Sequence, residues 1–195
     1  MNSNFDRHLL CAVLACLCSL YGPGIYAGEP YGLLTLGVGP QPGASQTNRS
    51  VGLDLNLWQV DRSPRQSLSL GVSYTYLHSN KGPNEQLHAF SIYPQLTLTP
   101  GESGWARSWL PDSVEPYFFV RALGPSYISE NSLGERSQAH HFAFQAQAGA
   151  GISFQGANGQ RRHLSLSWKH FSNANLYSDN DGIDIPVVLS FGTEF

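Results

Sequence analysis

The chain has 195 residues and a mass of 21.3 kDa, the size of one ordinary domain. Charged residues are only 13%, hydrophobic residues 41%, and the net charge is −3, so there is no basic footprint for nucleic acid. Aromatic residues at 12% argue against disorder, and a mean hydropathy of −0.22 excludes a bundle of membrane-spanning helices.

Residues 1–27 read as an export signal. Arg7 and His8 precede the apolar run Leu9–Tyr21, which is too short to cross a membrane as a helix. Cleavage is expected after Ala27. Cys11, Cys16 and Cys18 all lie in this segment, so the chain from residue 28 has neither disulfides nor thiolate ligands. The sequence around Cys16 departs by one position from a lipoprotein cleavage box.

From residue 30 onward, apolar residues recur with period two, which argues strand. Eight strands are expected, at 31–39, 50–60, 66–78, 87–99, 115–128, 141–154, 161–172 and 184–195. In the third, Leu68, Leu70, Val72, Tyr74 and Tyr76 alternate with serine, glycine and threonine. In the sixth, Phe142, Phe144, Ala146, Ala148, Ala150, Ile152 and Phe154 alternate with Gln145, Gln147 and glycines. The fifth alternates less cleanly. Several strands run well beyond the usual five or six residues of soluble sheets. Their polar faces are small and almost uncharged, unlike the lysine- and glutamate-bearing surface of a soluble sandwich. The expected fold is therefore all-β: an eight-stranded antiparallel transmembrane β-barrel, one domain over 28–195, with apolar residues toward lipid and small polar ones inside. Trp58, Tyr76, Tyr117, Phe154 and Trp168 fall near strand ends, as interfacial girdles require. The terminal Phe195 resembles the C-terminal signature of outer-membrane barrels. With both ends periplasmic, the links 40–49, 79–86, 129–140 and 173–183 face outside. The turns 61–65, 100–113 and 155–160 face the periplasm, the long one with room for a short helix.

Most histidines have ordinary readings. His78, His88, His140, His141 and His163 border loops or strand ends without acidic or thiol company at ligand spacing, so no metal or other cofactor is expected. Asp179-Asn180-Asp181-Gly182 lacks calcium-loop spacing and reads as a turn. His170 and Ser172 differ, since they continue the lipid-facing row Leu164, Leu166, Trp168, where polar groups are costly and tend to be functional. An imidazole beside a serine can take its proton and create a nucleophile. By spacing alone, a solvated position above the membrane edge is the simpler reading of the pair.

The segment 169–184, KHFSNANLYSDNDGID, resembles the lipid A 3-O-deacylases, the PagL family of Gram-negative outer membranes. The likeness rests on His170-x-Ser172-Asn173-Ala174, then Asn180-x-Gly182, then an acidic residue twelve positions after the serine. It implies an enzyme that hydrolyses, without a metal, the ester of the 3-hydroxyacyl chain at position 3 of lipid A. The implied roles are His170 as general base, Ser172 as nucleophile, Asn173 at the oxyanion, Asp184 as the acidic partner and Asn180 in the active-site loop. The acid is often glutamate in that family, and aspartate is shorter. Parity with Phe191 and Phe195 turns Asp184 inward, so a bulge or late strand start is needed to bring it outside. The implied partners are lipopolysaccharide and the outer membrane, with a homodimer left open. A non-enzymatic small barrel of the OmpA, OmpX or OmpW kind is the alternative; it would share the barrel but lack the His-x-Ser-Asn segment. Outer-membrane phospholipases use a larger, calcium-dependent barrel. Lipid A palmitoyltransferases begin with an amphipathic helix that residues 28–40 do not show.

Overall fold

The structure, a computed structural model, describes residues 28–101 and 109–195. The expected export signal and the centre of the long turn, with its expected helix, lie outside the described residues. Strands β1 (Tyr31–Pro40), β2 (Thr47–Ser63), β3 (Gln66–Ser79), β4 (Gln86–Leu98), β5 (Val114–Ile128), β8 (Phe142–Gln155), β9 (Arg161–Ser172) and β10 (Ile183–Glu194) form a closed barrel. A two-residue hairpin, β6 (Ser132–Leu133) and β7 (Arg136–Ser137), rises from the link between β5 and β8. Each barrel strand pairs antiparallel with its sequence neighbour, and β10 closes on β1. Hydrocarbon cannot solvate an open edge, so closure is what permits this sheet to span a bilayer. Seven of the eight expected strands end within one residue of their predicted bounds, and β2 extends three further at each end.

The outer wall is apolar, with Leu36, Leu53, Phe90, Ile92, Val120, Leu166, Leu189 and Phe191 all exposed. Three of the departures from strict alternation shape the rest. β2 carries a bulge between Asn56 and Trp58, β5 one between Arg121 and Gly124, and β10 one between Ile185 and Val188. Each inserts one residue and exchanges the faces beyond it. In β5, Ala122 and Leu123 both stand outside, and Leu123 takes a φ of 56°. That break is why the fifth strand alternates poorly in sequence. Tyr117, expected in a girdle, instead shares the inward face with Phe119 and Arg121 and meets His163 edge-on.

The interior has two zones. At mid-height, Asp54 is ion-paired to Arg121, and Lys169 Nζ lies 3.7 Å from Asp54 Oδ1. Gln95 and Gln147 accept from the guanidinium at 2.8 and 3.0 Å, which stacks on Tyr93 at 3.9 Å. This charged plug was not expected from the small polar face. Breaking a buried ion pair by removing one partner strands the other, at a cost of about 3–5 kcal/mol. Arg121→Met is expected to destabilise the barrel by that order, read by urea unfolding in lipid vesicles. Toward the end bearing the hairpin, the lumen turns apolar. Leu77, Leu87, Ile128, Leu133, Phe171, Ile183, Ile185 and Val188 form one buried cluster, each such side chain contributing about 1.5–3 kcal/mol by burial. This cluster fixes which residues of β9 and β10 must face outward.

Candidate active site

On β9, Ser165, Ser167, Lys169 and Phe171 are buried inward, so Leu166, Trp168, His170 and Ser172 project from the outer wall. On β10, Ile183 and Ile185 are fully buried, which leaves Asp184 on the opposite, outward face, paired in register with His170. Ile185 therefore faces the lumen and not lipid, a reversal of the expected alternation. The bulge is the cause: Pro186 and Val187 together oppose Trp168, and beyond them Val187, Leu189 and Phe191 resume the lipid-facing row.

The geometry around the carboxylate is closed. His170 Nδ1–H donates to Asp184 Oδ1 at 2.9 Å, and Trp168 Nε1–H donates to the same oxygen at 2.9 Å. Gln41 Nε2 donates to Oδ2 at 3.1 Å. With Nδ1 as the donor, Nε2 is left with a free lone pair, the tautomer a general base requires. The Trp168 indole stacks on the imidazole, with centroids 5.3 Å apart and planes inclined by 24°. Gly182 closes the other side with a φ of +66°, and a Cβ there would lie 2.8 Å from His170 Cε1. Gly182→Ala is expected to lower kcat about 10- to 100-fold by displacing the ring, and to cost about 1–3 kcal/mol in backbone strain. Turnover of purified protein, together with unfolding, checks both.

Ser172 is half-buried on the same face two residues from His170, with Phe144 as its cross-strand neighbour. Among the described residues its hydroxyl has no hydrogen bond to His170. Directly after it the chain reverses: Leu176 N–H donates to Asn173 O at 3.1 Å, and Ala174 and Asn175 have φ of 54° and 59°. This is a type I′ turn, unusual in placing alanine at its first central position. Asn173 is fully buried; its N–H donates to Asn180 Oδ1 at 2.9 Å and its Nδ2 to Asp179 O at 2.6 Å. Asn180 thus staples the two arms of the loop and donates to Asn175 Oδ1 at 2.9 Å. Asp181 Oδ2 accepts from the Ser137 N–H and hydroxyl at 2.9 and 3.1 Å, which docks the loop on the hairpin. The hairpin is in turn tied to the β1–β2 loop, where the Ser45 N–H and hydroxyl hold the Glu135 carboxyl below the usual carboxylate range.

The structure thus joins His170 to Asp184 and sets Ser172 beside them, while Asn173 and Asn180 build the loop that follows. Sequence reasoning missed Gln41, Asn48 and the Trp168–Asp184 bond. Only Trp168 carried a signal, as a large aromatic two residues before His170.

An outward-facing serine, imidazole and carboxylate on the wall of a closed eight-stranded barrel define an outer-membrane β-barrel enzyme. A family model described as lipid A 3-O-deacylase (PagL) matches residues 49–192, and the chain belongs to that family. The chain is 28% identical over 178 residues to the lipid A deacylase PagL of Pseudomonas aeruginosa, covering 89% of this chain and 90% of that one. It is 26% identical over 141 residues to the lipid A deacylase PagL of Bordetella bronchiseptica, covering 72% of this chain and 66% of the other. The fold matches the crystal structure of the outer membrane enzyme PagL, with a TM-score of 0.59 at 23% identity over 84% of this chain and 99% of the other. It also matches Neisserial surface protein A, with a TM-score of 0.52 at 13% identity over 87% of this chain and 99% of that one.

Proposed function

We propose that the protein is a lipid A 3-O-deacylase working as a serine esterase at the extracellular leaflet, with residues 1–27 removed on export. One observation carries the reading: the His170–Asp184 hydrogen bond lies on the lipid-facing wall beside Ser172. A soluble substrate would not favour such a place, whereas an ester of an outer-leaflet lipid reaches it without entering the barrel.

Ser172 Oγ attacks the ester carbonyl carbon as His170 Nε2 takes the hydroxyl proton. Asp184 holds the imidazole by Nδ1 and stabilises the imidazolium that forms. The tetrahedral oxyanion is met by backbone N–H groups of the turn after Asn173, which the side chains of the buried Asn173 and of Asn180 hold in place. Collapse breaks the bond to the sugar oxygen, which receives the proton from His170. Water, activated by the same imidazole, then releases the 3-hydroxy acid from Ser172. The acyl chain lies along β8, where Ala146, Ala148 and Ala150 stand opposite His170, Trp168 and Leu166 and lower the wall.

The test is mass spectrometry of lipid A from cells producing the protein. The expected product is lighter by one 3-hydroxyacyl group, and fragmentation locates the loss at position 3. Unchanged lipid A, with the barrel folded in the outer membrane, would favour the non-enzymatic barrel. Crosslinking in intact membranes tests the homodimer that the sequence left open.

A further inference from the structure

We propose that Gln41 is the positioning residue of this site, holding Asp184 in reach of His170; the inference rests on the proposed catalytic roles of Ser172, His170 and Asp184. Gln41 follows β1, remote in sequence from Asp184, and is only 2% exposed. Its amide spans both parts of the aspartate. Gln41 Oε1 accepts the Asp184 backbone N–H at 2.9 Å, while Nε2 donates to the Asp184 carboxylate at 3.1 Å and to Gly182 O at 3.3 Å. Asn48 Nδ2 donates to Gln41 Oε1 at 2.7 Å and to Asp184 O at 2.9 Å. Gln46 Nε2 donates to Asn48 Oδ1 at 2.8 Å, and Gln46 Oε1 accepts the Glu135 N–H at 2.5 Å.

The orientation of the Gln41 amide follows from its partners. Two donors, the Asp184 N–H and the Asn48 amide, face Oε1. Two acceptors, the Asp184 carboxylate and Gly182 O, face Nε2, so a flipped amide would oppose like groups on both sides. Asp184 sits just before the β10 bulge, where the ladder to β9 is interrupted between Ile185 and Val188. Asp184 keeps its pairing to His170 on β9, but on its other side the ladder to β1 ends at Val38 and Val187, and the Gln41–Asn48 pair takes the place of the missing β1 bonds. An aspartate has a short side chain, so its reach to His170 depends on where its backbone is held. The same clasp occupies Oδ2, which leaves Oδ1 for the imidazole.

The experiment uses the full-length protein refolded or extracted in detergent, with steady-state hydrolysis of lipid A as readout and heat-modifiable gel migration as the check of folding. Gln41→Met keeps length and removes the hydrogen bonds. A displacement of about 1 Å at a catalytic group can cost on the order of 10²-fold. Gln41→Met is expected to lower kcat 10- to 100-fold with KM changed less than threefold. The added methylene of Asp184→Glu restores reach, so the double variant Gln41→Met/Asp184→Glu is expected to regain at least fivefold of the lost kcat. Wild-type kcat in folded Gln41→Met overturns the proposal, as does a loss that the double variant fails to recover. Ser172→Ala is run alongside. If it remains active, the underlying catalytic reading has failed; if it is inactive while Gln41→Met is normal, only the role of Gln41 has failed.

Discussion

Ser172→Ala is expected to lower kcat/KM on lipid A by about 10⁴-fold or more, as removal of the nucleophile does in serine hydrolases, while the barrel keeps its stability. The two halves of that expectation have separate causes. Ser172 is half-buried on the outer wall, and its neighbours Phe171 and Asn173, not Ser172 itself, are locked into the interior. Deleting its hydroxyl therefore strands no buried partner and opens no cavity in the core. The chemistry, by contrast, loses the proposed nucleophile on the face it shares with His170, and the next hydroxyl along that strand, Ser167, faces the lumen and accepts from Gln147. Kinetics on the purified variant, paired with an unfolding curve, separates the effects. A variant that stays active would place the nucleophile elsewhere.

Asp184→Asn is expected to cost about 10⁴-fold in kcat, because an amide in this place can hold the imidazole in the wrong tautomer. Asp184 Oδ1 accepts from both His170 Nδ1 and Trp168 Nε1, and Oδ2 accepts from Gln41. Asparagine has one acceptor and one donor group for these three donors. If its oxygen stays with Trp168 and His170, its NH₂ opposes the Gln41 NH₂. If it flips, its NH₂ faces Nδ1, which must then accept, and Nε2 carries the proton and can no longer take one from serine. Asp184→Glu, which keeps three acceptor directions, is expected to retain far more activity than Asp184→Asn. Equal losses in the two variants would contradict this account of the carboxylate.

Alternation made the barrel legible. Val72, Tyr74 and Tyr76 in β3 or Phe142 through Phe154 in β8 show period two because lipid and lumen demand opposite chemistry on alternate residues. A bulge slips that parity by one and leaves only faint traces in sequence. For β5 the trace was a muddled pattern around Ala122 and Leu123. For β10 it was Pro186, a residue tolerated in strands mainly at edges and bulges. Without the bulge, Asp184 and Ile185 read with exchanged faces, although the need for some irregularity to bring Asp184 outside was visible from the motif. His170 and Ser172 were placed correctly because β9 is regular throughout its length. The charged plug was hidden because Asp54, Arg121 and Lys169 lie on three strands, and nothing local shows that they meet. Gln41 and Asn48 were hidden for the same reason. Their bonds to Asp184 depend on closure of β10 on β1, the longest-range pairing in the barrel.

The most direct test of the central claim is labelling of the purified, folded protein with a serine-reactive alkyl phosphonate, followed by intact-mass measurement and peptide mapping. One adduct per chain is expected, on Ser172, and it is lost in His170→Ala. A protein that deacylates lipid A yet carries no adduct on Ser172, or is labelled at another residue, would contradict that claim.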